Sequence, residues 1–172
     1  MRKKVFTIIA LLLGGYSLSQ AAQGTAKIFA TSTSAVVSGS AHFEDTPGGL
    51  KVSVTIAQAA PGNHGFHIHE FGSCEDQGKA AGGHYNPLHS PHGMIMKDGP
   101  QKAHKGDLGN IMIKNDGTGT LEAIIPKLTL TEGPYTVGGR SIIFHGKADD
   151  FGQPVGNAGG REGCGIIAVT AN

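Results

Sequence analysis

Tryptophan is absent from the 172 residues and aromatic side chains make up only 6% of them, while glycine occurs 28 times. That balance argues against long helices and for many turns, because glycine inside a helix costs about 1 kcal/mol relative to alanine. Excess positive charge is missing too. The formal net charge is +1, and without Arg2, Lys3 and Lys4 eleven basic residues would face thirteen acidic ones, which excludes a nucleic-acid binder. Nor is there an apolar run long enough to span a bilayer. The longest, over residues 5–13, is interrupted by Gly14, Gly15 and Tyr16, and no cysteine lies near it to carry a lipid. With Arg2, Lys3 and Lys4 before it, and Ser19 and Ala21 flanking Gln20 after it, the segment reads as a signal peptide. Residues 1–21 are expected to be cleaved, leaving one exported domain over 22–172 with no stable membrane association.

Cysteine is nearly absent, with Cys74 and Cys164 alone. In an oxidising compartment one structural disulfide is the natural reading, and two separate free thiols the alternative. The bridge would close a loop of about 90 residues, for which chain entropy gives about 4 to 5 kcal/mol before strain is subtracted.

Strict alternation is clearest where Leu50, Val52, Val54 and Ile56 interleave with Lys51, Ser53 and Thr55, after the turn signal Thr46-Pro47-Gly48-Gly49. Similar short runs near 26–32, 36–43, 64–69, 108–114, 119–125, 139–145 and 164–170 predict about eight strands in all, with Asn115-Asp116-Gly117 as a hairpin turn. Eight short antiparallel strands suggest an all-β sandwich or flattened barrel with Greek-key connections. Two stretches, 71–106 and 146–162, lack periodicity and are rich in Gly, Pro, His and Asp, so they are expected to be long functional loops.

Those loops contain or border a set of metal-ligating residues. His67 and His69 in GFHIHEFG are two apart on an expected strand, so both rings project from one face while Phe66 and Ile68 point to the other. His145 ends a later strand and can join them across an antiparallel sheet. His84 in GGHYNP, His92 in SPHG, and His104 with Asp107 in AHKGDLGN lie in or at the end of the first loop. A closed His₃Asp set suits zinc, and four nitrogens near a plane suit Cu(II) if His84 serves both sets as imidazolate.

Taken together, GFHIHEFG, GGHYNPLHSPHG, HKGDLGN and GNAGGREGCG make the chain similar to the copper,zinc superoxide dismutase family over essentially the whole mature sequence. The resemblance implies one copper on His67, His69, His84 and His145, and one zinc on His84, His92, His104 and Asp107. It implies a Cys74–Cys164 disulfide and an eight-stranded Greek-key barrel of immunoglobulin-like architecture. Asp149 matches the carboxylate that links His67 to His92 and orients both rings. Arg161 matches an arginine that attracts superoxide, and its guanidinium stays charged at any relevant pH. The implied reaction converts two superoxide anions and two protons to dioxygen and hydrogen peroxide by Cu(II)/Cu(I) cycling, with His84 as bridging imidazolate and proton relay. His64 has a structural counterpart, Asp150 reads as a solvated acid, and His42 and His89 read as surface histidines. The GSCE arrangement around Cys74 resembles the bacterial branch, which places the protein in the periplasm.

Four features depart from the family pattern. The second loop is short, Phe151-Gly152-Gln153-Pro154-Val155 replaces a charged run that guides superoxide, and Val155 makes the channel rim more apolar. The stretch from His92 to His104 is long and holds Met94 and Met96. Thioether sulfur prefers Cu(I), so a loading role with His89 is conceivable, although gap-filling is the commoner use of methionine. A non-enzymatic periplasmic copper/zinc-binding protein is the main alternative, and an inert interaction module a second. A carrier, however, needs neither Arg161, a bridging ligand nor an Asp149 link. The copper donor is not legible, and the choice between a monomer and a homodimer depends on apolar surface that a sequence does not display.

Overall fold

The computed structural model describes residues 21–170, so the expected signal peptide lies outside the described residues apart from Ala21. Among the described residues nine strands form: β1 (Gln23–Ala30), β2 (Ser38–Thr46), β3 (Gly49–Gln58), β4 (Gly62–Ile68), β5 (Asp107–Ile113), β6 (Gly119–Ile125), β7 (Ser141–His145), β8 (Arg161–Ile166) and β9 (Ala168–Thr170). They are hydrogen-bonded in the order β2-β3-β6-β5-β4-β7-β8-β1-β9, and a further β1–β2 pairing closes the sheet on itself. The result is an eight-stranded antiparallel barrel. Its connections from β3 to β4 and from β6 to β7 each skip two neighbours, as a Greek key requires.

β8 and β9 together occupy the expected 164–170 strand, both pairing with β1. Ile167 divides them because its N–H donates to the Arg140 carbonyl and its carbonyl accepts from Gly139, outside the barrel ladder. The first long loop also contains two short ordered turns, a 3-10 turn at Lys79–Ala81 and α1 at Ile95–Asp98. Among the described residues no helix is long and apolar enough to cross a membrane.

Alternation decides what fills the barrel. Leu50, Val52, Val54 and Ile56 of β3 are no more than 2% exposed and join Phe43, Phe66, Ile68, Ile142 and Phe144 in one core. On β4 and β7, however, both faces are buried, because the loops cover the outer one. Ile143 packs outside the barrel with Ala81, Cys164 and Cys74. Regular alternation breaks in β5, where Leu108 and Ile111 both enter the core although three residues apart. Gly109 sits between them at φ 85°, a left-handed conformation open to glycine, and the β4–β5 register slips at the same level. The slip lets Asp107 and Asn110 both reach the loop-covered face. A second slip, between Phe144 and His145, sets Arg161 opposite His145.

The disulfide joins Cys74 in the first loop to Cys164 on β8, with Cα atoms 5.7 Å apart and a sequence separation of 90. Cross-linking so long a loop removes much of the unfolded chain's freedom. Cys164→Ser is therefore expected to lower the unfolding free energy of the metal-free protein by about 2 to 5 kcal/mol. Guanidinium unfolding at matched slope measures this, and a change below about 1 kcal/mol contradicts it.

Candidate metal centre

β4 and β7 supply the floor of the site. His67, at the end of β4, and His69, just beyond it, turn outward, and His145 ends β7 beside them. Ring centroids of His67 and His145 are 4.8 Å apart, and those of His69 and His145 5.7 Å. The first loop then folds back as an added strand. Tyr85 N–H donates to the Ile68 carbonyl at 2.8 Å and Gly106 N–H to the Tyr85 carbonyl at 2.9 Å, which carries His84 and His104 over β4. His84 stands centrally, 4.1 Å from His67 and 5.0 Å from His69 on one side, and 5.2 Å from His92 and 5.5 Å from His104 on the other.

Asp107, at the start of β5, gathers the second group. Its carboxylate oxygens lie 2.8 Å from His84 Nδ1, 2.9 Å from His92 Nδ1 and 3.1 Å from His104 Nδ1. The same carboxylate accepts the backbone N–H groups of Gly93 and His104. Two quartets result, His67, His69, His84 and His145, and His84, His92, His104 and Asp107, with donor atoms of each within 4.8 Å of one another. None of these residues is more than 7% exposed.

Burial this deep ordinarily demands a partner for each polar atom. Among the described residues, five buried ring nitrogens have none: His67 Nδ1, His69 Nε2, His92 Nδ1, and both nitrogens of His145. His92 Nδ1 is close to Asp107 but is not aligned as a hydrogen bond. Crowded, unpartnered imidazole nitrogens fit divalent metal ions, which would satisfy several of them at once.

The opposite ring nitrogens are tied to the protein. His67 Nε2 donates to Asp149 Oδ2 at 2.8 Å and His92 Nε2 to Asp149 Oδ1 at 2.9 Å, so one carboxylate spans both groups. His69 Nδ1 donates to the Gly82 carbonyl at 3.1 Å. Asp149 is fixed in turn by Asn110, which accepts its N–H at 2.7 Å and donates to its carbonyl at 2.9 Å. Asn110 was missed in the sequence although it closes HKGDLGN, because only the β5 slip reveals which way it faces. Gly156, at φ 74°, lies so close that a Cβ there would collide with Asp149 and His92.

Arg161 donates to the Gly78 carbonyl and the Gly82 carbonyl, each at 2.6 Å, and borders a pocket with His69, His84, His145 and Val155. His92, His104 and Asp107 do not line that pocket. Both nitrogens of His64 face carbonyls, of His145 at 2.8 Å and Ala60 at 2.9 Å, and its ring stacks on Phe144, so it braces the wall. His42 and His89 are exposed, and Met96 packs on the core.

Burial, reinforced by the neighbouring rings of His84 and His67 respectively, pushes the pKa values of His69 and His145 down to about 2. Burial also lowers His84 to about 4, against an opposing hydrogen bond to Asp107. His92 resists its burial and rises to about 9 because the carboxylates of Asp107 and Asp149 both lie against its ring. Both carboxylates, although buried, are held well below the usual range by histidine hydrogen bonds. Signs follow from linkage. Between pH 6.5 and about 4 the unfolded chain takes up protons that folded His69, His84 and His145 refuse, so acidification destabilises. The His92 contribution is complete below 6.5 and is lost as pH rises through about 9. The melting temperature of metal-free protein is therefore expected to peak near pH 6.5, with the acid limb about three times as steep as the alkaline one. Calorimetry across pH 4 to 9 tests this, and a flat profile contradicts it.

A family profile described as copper/zinc superoxide dismutase matches residues 37–167. Superoxide dismutase [Cu-Zn] of Deinococcus radiodurans is 38% identical over 181 aligned residues, covering 95% of this chain and 97% of that protein. Extracellular superoxide dismutase [Cu-Zn] of Caenorhabditis elegans is 34% identical, covering 98% of this chain and 79% of that protein. Among solved structures, the clock protein EA4 superposes with a TM-score of 0.76 at 30% identity, covering 91% of this chain and 99% of that one. Sequence and barrel therefore agree, and the chain belongs to the copper/zinc superoxide dismutase family.

Proposed function

We propose that this protein is a superoxide dismutase holding copper on His67, His69, His84 and His145, and zinc on His84, His92, His104 and Asp107. One observation carries the reading: His84 is shared by two buried quartets, of which one borders an open pocket beneath Arg161 and the other does not. A closed quartet suits a structural ion and an accessible one suits chemistry. Bound there, copper would supply the one-electron couple and zinc a redox-inert charge for the conversion of two superoxide anions and two protons to dioxygen and hydrogen peroxide.

The chain's own groups do the rest. Arg161 binds the small anion, its guanidinium held at the pocket edge by two carbonyls of the disulfide-linked loop. Val155, Asn157, Ala158 and Gly159 of the second loop form part of the wall of the same pocket. His84 Nδ1 lies against Asp107, leaving Nε2 toward the pocket, where it takes up a proton and passes it to the reduced anion. Asp149 holds His67 and His92 in fixed ring orientations throughout. The Cys74–Cys164 bond suits an oxidising compartment, and the extracellular relatives point the same way. We assign the mature chain to the periplasm.

Metal content and superoxide consumption measured on one sample are expected to give one copper, one zinc and catalysed decay. Both metals held without catalysis would instead establish a carrier. Arg161→Ala is expected to keep both metals, lower kcat/KM about tenfold and flatten its ionic-strength dependence, because a charge beside the pocket is lost. Unaltered kinetics would remove Arg161 from the anion path.

A further inference from the structure

The second long loop makes a contact that none of these roles explains. Gln153 meets both backbone polar groups of His92: the His92 N–H donates to Oε1 at 3.0 Å, and Nε2 donates to the His92 carbonyl at 2.8 Å. The pattern fixes the amide orientation, since a flipped amide would set donor against donor and acceptor against acceptor. Bonds on the N–H and the C=O of one residue restrain its position and its direction together. They therefore restrain where the His92 ring begins.

That ring is held again by the same loop. Asp149 accepts from its Nε2 at 2.9 Å, and the Phe151 ring lies nearly parallel, 6.5 Å away at 18°. The segment is also braced internally. Gly152 N–H and Asn157 Nδ2 donate to the Asp150 carboxylate at 2.8 and 3.0 Å, and Gly156 N–H donates to the Gly152 carbonyl at 2.7 Å. Asp150, expected to be a solvated acid, is exposed yet serves as this inner post. Two residues past Gln153, Val155 borders the pocket over His69, His84 and His145.

We propose that Gln153 is a positioning residue that ties the pocket wall to His92, so that zinc binding and the order of the 151–157 segment are coupled through this one side chain. The inference rests on the reading of His92 as a zinc ligand. Coupling of this kind is reciprocal: whatever orders the segment tightens zinc by the same factor by which zinc orders the segment. Gln153 itself is exposed and lies outside the barrel core, so its loss leaves the fold standing.

Three proteins test this, the wild type, Gln153→Ala and His92→Ala, each as the full mature chain. Zinc affinity is read by chelator competition, and backbone amide exchange of residues 151–157 is followed with and without zinc. Gln153→Ala is expected to weaken zinc about tenfold, the lower end for groups that orient a ligand, and to lose most of the zinc-dependent protection. Gln153→Glu keeps the acceptor but not the donor, so it is expected to fail to restore wild-type affinity. Cobalt(II) in place of zinc is expected to show a shifted visible spectrum in Gln153→Ala. A loss below threefold, or unchanged protection, with His92→Ala abolishing binding, overturns the role of Gln153 alone. Wild-type zinc affinity in His92→Ala overturns the zinc site, and this inference with it.

Discussion

An imidazole with one nitrogen tied to the protein is fixed in tautomer and in ring direction, and this constraint organises the whole outer wall of the barrel. His67 and His92 are tied at Nε2 through Asp149, and His69 at Nδ1 through the Gly82 carbonyl. Their other nitrogens are thereby turned into the shared interior, where none of them has a hydrogen-bond partner among the described residues. Fixing the tied nitrogen in advance reduces the reorganisation needed when a metal arrives. Burial of the same cluster of rings makes charging His69 and His145 unfavourable and depresses their pKa values.

The barrel contributes two defects in its regularity as well as rigidity. A perfectly alternating β5 would send either Asp107 or Asn110 into the core, and the site needs both outside. Gly109 resolves the conflict by absorbing one residue of phase, keeping Leu108 and Ile111 buried on the inner side. The slip at Phe144/His145 similarly aligns Arg161 with His145 across β7 and β8. Both irregularities sit where side chains are re-aimed for function, the usual place for bulges in barrels.

Much of this was legible in the sequence because it depends on local periodicity. Alternation around Val52 and Val54 predicts β3, and the H-x-H spacing predicts two rings on one face with Phe66 and Ile68 behind them. Cys74 and Cys164 allow a single bridge, which the structure contains. What was hidden depends on register between distant segments. Nothing local in Asn110 or Gln153 says that each clamps the backbone of a residue roughly 40 or 60 positions away, because either amide in an exposed loop would look the same. The division of the last strand at Ile167 is hidden for a like reason, since its partners, Arg140 and Gly139, belong to another loop. The Phe151-to-Val155 run was read for the charge it lacks, whereas its contribution in the fold is contact with His92.

Loop length and loop order prove separable here. A long loop is costly to close, but closure cost grows only slowly with length, so order must come from specific attachments. The first loop has the disulfide at one end, the Tyr85 and Gly106 ladder in the middle and Asp107 at the other end. The second loop attaches through Asn110 and Gln153 instead, and Asp150 braces it from within. Such fastening suits a catalyst better than a carrier. A carrier must let its ion go, and donors less than 8% exposed, held by rings that cannot swing away, oppose release. A pocket lined by His69, His84 and His145 but by none of His92, His104 and Asp107, with a guanidinium at its edge, suits the approach of a small anion without the release of an ion.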